Sequence, residues 1–498
     1  MLAGEPGVWP VDRLTNEEQR MLWPDEIWPQ EIGALAVLDG SGLARPGGSV
    51  RVEAVREVIA ARLHLVPRFR QLLYVPRRGL GRPLWVDAPA FDLADHIQVV
   101  PLPDPGDEAA LLRATEQLRR RRLDRSRPLW QMWLLPGLPE GRVGMYVKIH
   151  HVIGDATAGL AALAALLDAA PDTPARPAPP WTPTPPSAAR DLLADNLRRH
   201  ATGLGRAAAA LARPVTTTRH ARAAWTAVRE VTTGPPAART SLDRPVGPGR
   251  TLAPIRGSLD QVQQAAHCHH ATVNDVLLAV TAGGLRALLR SRGEPVQGLV
   301  APIYVPIALR PARRRDQARG NLTALMTVSL AVGVSDPVRR LEQIAAETAR
   351  RKAETRPSVG TVFHGPVPRR AFVAVMSHQH VNLASADVPG PPQPLYLAGA
   401  RLLEVFPVLP LMGKVTLGVS ALSYAGQFNV MAVADQDACP DLDVFAAAAQ
   451  DELQVLAAAT QAIPDRHEQR QTGSRGRPEI AMTTEHASRR WPLGPSSG

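Results

Sequence analysis

The 498-residue chain carries only two cysteines, Cys268 and Cys439, which excludes a disulfide framework. With no secretory signal ahead of the body, a reducing cytoplasm is the expected setting. Aromatics amount to 4%, and lysine occurs only at Lys148, Lys352 and Lys414, every other basic residue being arginine. The net charge of +11 comes with no helix-turn-helix, finger or stacking motif, so nucleic acid is not an expected partner. Part of that charge reflects coding bias of the source genome; the remainder suits anionic membrane surfaces or phosphorylated cofactors. Long apolar runs are scarce too. The longest uncharged one, Val415 to Ala434, is interrupted by Ser420, Ser423, Tyr424, Gln427 and Asn429, with turn residues Ala425-Gly426 at mid-run. A buried hairpin is expected there rather than a membrane span.

What the chain does have is length and small apolar residues. Hydrophobic residues make up 45%, enough for two domains packed on Ala, Val and Leu. Val52, Val55, Ile59 and Leu63 recur at helical spacing and predict an amphipathic helix over 50–64. Asp107 to Arg122 predicts a second, acidic at its start and arginine-rich at its end, as the helix dipole favours. Leu129 to Leu135 reads as a short strand. Pro171 to Ala189 holds eight prolines and predicts an extended linker, with Ala/Arg-rich helix over 190–230 after it. Beyond Thr251 the pattern predicts helices over 258–268, 272–290, 337–352 and 441–461. Strands are predicted near 299–307, 322–332, 380–384, 401–407, 414–423 and 427–434. Asp465 to Gly498 reads as a disordered tail. His267-Cys268-His269-His270 has metal-binding residue types, but four consecutive residues do not converge on one ion, and a polar helix end is expected.

The most informative stretch is His150-His151-Val152-Ile153-Gly154-Asp155. Before it, Val143, Met145, Val147 and Ile149 alternate with Gly144, Tyr146, Lys148 and His150, as in a strand with one buried face. Continuing that period puts His151 on the buried face and His150 on the other. From Ala156 onward the pattern is helical. A histidine aimed into an apolar interior, with a carboxylate nearby, suits proton transfer near neutral pH. The same residues also fit a hydrogen-bonded core histidine and an Asp155 helix N-cap. No metal is expected, because adjacent strand residues point to opposite faces.

Upstream of this motif lies Leu123-Asp124-Arg125-Ser126-Arg127-Pro128-Leu129-Trp130. Earlier still are Pro67-Arg68-Phe69-Arg70-Gln71 and Asp92-Leu93-Ala94-Asp95-His96-Ile97. Val246-Gly247-Pro248-Gly249-Arg250, Ala271-Thr272-Val273-Asn274-Asp275-Val276-Leu277-Leu278-Ala279, Gly320-Asn321 and Val388-Pro389-Gly390-Pro391 follow. In these motifs and their order, over roughly residues 10–460, the chain resembles the bacterial wax ester synthase/acyl-CoA:diacylglycerol acyltransferases (WS/DGAT). Those proteins are relatives of chloramphenicol acetyltransferase and of condensation domains.

The resemblance implies an α/β fold of two chloramphenicol-acetyltransferase-like domains, mixed sheets flanked by helices, with an active-site channel at their interface. An N-terminal domain would span 1–170, a Pro-rich linker and crossover helix 171–250, a C-terminal domain 251–464 and a tail 465–498. It implies an O-acyltransferase that moves a long-chain acyl group from acyl-CoA, a co-substrate, to diacylglycerol or a fatty alcohol, with no cofactor or metal. His151 would be the general base and His150 its support, while Asp155 would orient the loop or pair with His151. Asn274 would donate to the oxyanion, with Asp275 structural, and Pro128, Leu129 and Trp130 would pack about the substrate channel. Such acceptors imply a place at the inner membrane or a lipid droplet, on the cytoplasmic side. Four departures stand out. Ala156 replaces the family's glycine, Ala386-Asp387 its Ser-Asn, and Pro306-Ile307-Ala308-Leu309-Arg310 its Pro-Val-Ser-Val-Arg. Pro29-Gln30-Glu31-Ile32 stands in place of an early Pro-Met-His. They leave two further readings: a same-fold acyltransferase with another donor or acceptor, such as a carrier-protein thioester, and a non-catalytic lipid-surface protein.

Overall fold

The alternation of Val143 to Ile149 and the helical period of Val55 and Ile59 become adjoining layers of one sheet domain. The computed structural model describes residues 11–43, 49–174, 177–211, 239–308, 323–355, 370, 373–374, 377 and 381–461. Gly320-Asn321, Leu309-Arg310, the 212–230 part of the expected helix and the tail 465–498 lie outside the described residues. The first half runs α1 (Asn16–Leu22), β1 (Glu31–Leu38), α2 (Val52–Arg62), β2 (Gln71–Tyr74), β3 (Leu84–Asp87), α3 (Leu93–His96), β4 (Ile97–Val99), α4 (Glu108–Arg120), β5 (Trp130–Pro136), β6 (Val143–His150) and α5 (Ala156–Ala165). After α6 (Ala189–Leu211) come β7 (Arg250–Ser258), α7 (Leu259–Cys268), α8 (Val273–Ser291), β8 (Ala301–Ala308), β9 (Thr323–Leu330) and α9 (Pro337–Thr355). The chain then forms β10 (Leu383–Pro389), β11 (Tyr396–Leu397), β12 (Ala400–Val408), β13 (Leu417–Tyr424), β14 (Gln427–Asp435) and α10 (Leu442–Gln461).

Two six-stranded sheets result, ordered β11-β12-β1-β6-β5-β4 and β7-β14-β13-β10-β8-β9, with β2 and β3 as a separate ribbon. Most pairs are antiparallel, but β4–β5, β10–β13 and β10–β8 are parallel, so both sheets are mixed as expected. The expected hairpin over 415–434 is β13–β14, closed by the two-residue turn Ala425-Gly426 with φ of 47° and 83°. Positive φ at both positions matches the twist of the flanking strands. The strand expected near 380–384 is Leu383–Pro389. Its end closes tightly on β13, where a Cβ at Gly390 would lie 2.2 Å from the Ser423 carbonyl oxygen. That distance explains the glycine of Val388-Pro389-Gly390-Pro391.

Residues 396–408 depart from the contiguous 251–464 domain expected of the second half. β12 completes the first sheet, pairing antiparallel with β1 from Gly33–Val408 to Leu38–Leu402. Its Leu402 and Val405 enter the core beneath α2 and α5, while Phe406 and Val408 enter the layer between the sheets. A strand apolar on both faces needs cover on both faces, and the edge of β1 offers it. In the layer between the sheets, Leu35, Trp133 and Phe406 meet Tyr304, Met431 and Val433. Arg256 of β7 pins the two halves together, donating to Glu404 at 2.7 Å and to Glu108. Among the described residues, no single helix is long and apolar enough to cross a membrane.

Candidate active site

β6 is buried at every position from Val143 to His150. Met145, Val147 and Ile149 face α2 and α5, while Tyr146 faces α4 and the second sheet. The strand therefore has two buried faces, not one, because it is central in its sheet and covered on both sides. His150, expected on the outer face, is only 2% exposed. His151 falls just past the strand, in the turn at 151–153, and is partly buried. Strand parity does not place it; the turn does.

His150 is hydrogen-bonded at Nδ1 and lies against the Asp25 carboxylate at Nε2. The Val152 N–H donates to Nδ1 at 3.0 Å, so the proton of the neutral ring sits on Nε2, 3.2 Å from Asp25 Oδ1. Asp25 also accepts from the Gln30 N–H at 2.8 Å, from Arg122 at 2.7 Å and from Arg125 at 2.6 Å. Burial alone would raise the Asp25 pKa, but His150, the Gln30 N–H and Arg125 outweigh it and hold the carboxyl far below the usual range. His150 is thus a strut that ties the end of β6 to the 25–30 segment. Asp25 was not singled out from the sequence, since it stands in no motif, and its partners lie about a hundred residues downstream. Asp25→Ala should cost about 2–3 kcal/mol, lessened because Arg122 and Arg125 are half exposed and can turn to water. A urea midpoint unchanged from the parent would contradict the strut.

The backbone N–H of His151 donates to the Gln30 carbonyl at 2.8 Å. Gln30 belongs to the segment that replaces the expected Pro-Met-His, so that departure lies directly against the histidine turn. The His151 ring hydrogen-bonds its own backbone carbonyl. Burial pushes the His151 pKa below the ordinary histidine value, and the backbone bond and the charge of Asp155 recover part of the loss. Asp155 caps α5, accepting from the Ala158 N–H at 2.9 Å. Ala156 is the first residue of α5. A helical φ is open to alanine, so the missing glycine does not displace the helix start.

In the second half, Thr272 rather than Asn274 caps α8. Asp275 completes the capping box: its Oδ2 accepts from the Thr272 N–H at 2.8 Å, and its Oδ1 from Thr348 Oγ1 at 2.7 Å. Both of its oxygens are thereby committed to the start of α8 and to α9. Asn274 lies in the first helical turn, partly buried. α5 and α8 both pack against β10, which brings the two motif-bearing helices to one strand. On that strand Asp387 sits opposite Ala421 of β13. It is partly buried, and no described residue pairs with it; burial alone pushes its carboxyl up to about 6. Native Asp387 therefore keeps its proton through a range in which the unfolded chain has lost it. Stability contributed below about pH 4 is lost as pH rises through 6, on the order of 2–3 kcal/mol. In Asp387→Asn the urea midpoint should fall less between pH 4.5 and 7.5 than in the parent. Equal slopes would contradict the shift.

Leu129 and Trp130 are fully enclosed, and Pro128 is buried. Trp130 stacks between Phe69 at 4.9 Å and His96 at 4.6 Å, and its Nε1–H donates to the Phe69 carbonyl at 2.9 Å. His96 Nδ1 in turn lies 2.8 Å from the Trp130 carbonyl. Three motifs far apart in sequence thus meet in one stack. With no surface left free, these residues pack in the core beneath the turn.

The wax ester synthase/diacylglycerol acyltransferase catalytic-domain model matches residues 23–277, and the WS/DGAT C-terminal-domain model matches residues 319–457. A Mycobacterium tuberculosis protein described as a probable diacylglycerol O-acyltransferase is 30% identical over 438 residues, covering 86% of this chain and 91% of its own length. In fold, the chain is similar to a wax ester synthase/diacylglycerol acyltransferase from Marinobacter aquaeolei, with a TM-score of 0.64 at 21% identity over 90% of this chain and all of the other. It is also similar to the first condensation domain of the calcium-dependent antibiotic synthetase, with a TM-score of 0.56 at 16% identity over 90% and 96% of the two chains.

Proposed function

The chain belongs to the wax ester synthase/diacylglycerol acyltransferase family, and from that premise we propose that His151 drives acyl transfer from acyl-CoA to the hydroxyl of diacylglycerol or a fatty alcohol. The enzyme is an acyl-CoA-dependent O-acyltransferase. In the proposed step, Nε2 of His151 takes the acceptor's hydroxyl proton as the oxygen attacks the thioester carbonyl carbon. The carbon–sulfur bond of the tetrahedral intermediate then breaks. The imidazolium returns its proton to the departing coenzyme A sulfur, and the ester leaves. Asn274 is assigned to the oxyanion, for which a side-chain amide N–H is a suitable donor.

The observation that carries this reading is the place of His151, on a turn whose backbone is tied to the Gln30 carbonyl at 2.8 Å and whose neighbour His150 lies 3.2 Å from Asp25, with burial lowering the His151 pKa below the ordinary histidine value. Such a base is available at neutral pH without first shedding a proton. Asp155 holds the helix start and adds a field that stabilises the imidazolium formed during transfer. Both acceptors partition into lipid, so the enzyme works at a membrane or lipid-droplet surface. The test is release of free coenzyme A by purified protein given long-chain acyl-CoA with diacylglycerol and, in parallel, with a fatty alcohol. Release with at least one acceptor is expected. Silence with both, while the protein is folded, would remove the reading.

A further inference from the structure

Among the described residues, α6 is set on the first domain by one face. Leu192 is 2% exposed, its carbonyl accepts from Arg13 at 2.9 Å, and Asn196 donates to the Gly79 carbonyl at 2.9 Å. Asp195 is paired with Arg13 and Arg199. On the other side, Leu193, Leu197 and Leu204 stand 44%, 60% and 73% exposed. At helical spacing they fall within an arc of about 40°, a single stripe. The stripe contributes nothing to the core, and three leucines in line on one surface helix mark an interaction face rather than scattered exposure.

The unpaired charge beside it is positive. Arg198 is exposed on the flank of the stripe, and Arg77 and Arg78 are exposed on the loop that Asn196 grips. No described carboxylate pairs with any of these three. Asp191 lies 3.7 Å from Arg190, so that acid is offset. On the same loop side, Val75 is 65% exposed. A leucine stripe bordered by arginines is the pattern by which a helix lies in the plane of a bilayer, its apolar side among acyl chains and its cations at the headgroups.

We propose that α6 and the adjoining 75–79 loop form the docking surface for an anionic lipid bilayer. The assignment rests on the reading above that the acceptor is a membrane lipid. Arginines at the rim commit it to anionic headgroups, because each basic side chain near such a surface strengthens binding about fivefold and the gain fades with salt.

The test uses the full chain, its Leu197→Gln/Leu204→Gln variant and its Arg77→Gln/Arg78→Gln variant. All four side chains are exposed, so urea midpoints should match the parent. Each protein is floated with vesicles of phosphatidylcholine alone and of phosphatidylcholine mixed with phosphatidylglycerol. The parent should float with the mixed vesicles, and each variant should bind them at least tenfold more weakly. Turnover is measured on diacylglycerol held in the mixed vesicles and on diacylglycerol dispersed in detergent. The variants should slow on vesicles and match the parent in detergent. A parent that does not float, or variants that float equally well, overturn the docking surface. So does a leucine variant that loses only self-association in sedimentation. A parent inactive in detergent as well as on vesicles instead removes the acyltransfer reading, independently of the flotation result.

Discussion

His151→Ala is expected to lower kcat by about 10²–10⁴, the range a positioned general base contributes, with little change in KM for acyl-CoA. Nothing else on the turn can take over the proton. His150 has Nδ1 occupied by the Val152 N–H and its Nε2–H turned to Asp25, and Asp155 is committed to the first turn of α5. The loss should be one of rate rather than folding, because alanine keeps the backbone N–H that ties the turn to the Gln30 carbonyl. His151 also leaves a mark in the pH profile. Burial holds its pKa below the ordinary histidine value of about 6.5, so the parent's acid limb in kcat/KM should lie lower than that figure. Free coenzyme A released at the parental rate by His151→Ala would sink the mechanism, whatever the product.

Trp130→Ala is expected to cost about 3–5 kcal/mol, as large aromatic truncations in packed cores do. The indole is sandwiched by Phe69 and His96, and its N–H satisfies the Phe69 carbonyl. Removing it opens a cavity and strands a buried acceptor at once. Trp130→Phe would keep much of the stack and lose the hydrogen bond, costing about 1–3 kcal/mol. Urea midpoints of both variants check the order. A channel role would look different: an altered acyl-chain preference with an unmoved midpoint, which the enclosed position of Trp130 argues against.

The elements with strong local period were legible in the sequence. The helices at 52–62 and 108–120, and the β13–β14 hairpin with its Ala425-Gly426 turn, follow from spacing and turn chemistry alone. The histidine turn was found for the same reason, since strand pattern stops and helix pattern starts there. Its support was not legible. Asp25, Arg122 and Arg125 carry no local signal, and only the fold brings them to His150. Strand parity cannot separate His151 from His150, because a strand covered on both faces gives alternation no outer side. Which residue caps α8 was not legible either, because Thr272, Asn274 and Asp275 are all capping residue types and only geometry decides which N–H each meets.

The crossing of β12 into the first sheet has a consequence for synthesis. Until residues 400–408 leave the ribosome, β1 presents an unpaired edge, and β6 and β5 belong to a sheet that lacks its β11 and β12 strands. At ordinary elongation rates of about 5–20 residues per second, that edge waits tens of seconds for its partner. Open strand edges recruit other chains. The nascent first half is therefore the stage at which this protein most needs a chaperone, and a chain cut between its two halves would not yield an independent N-terminal domain.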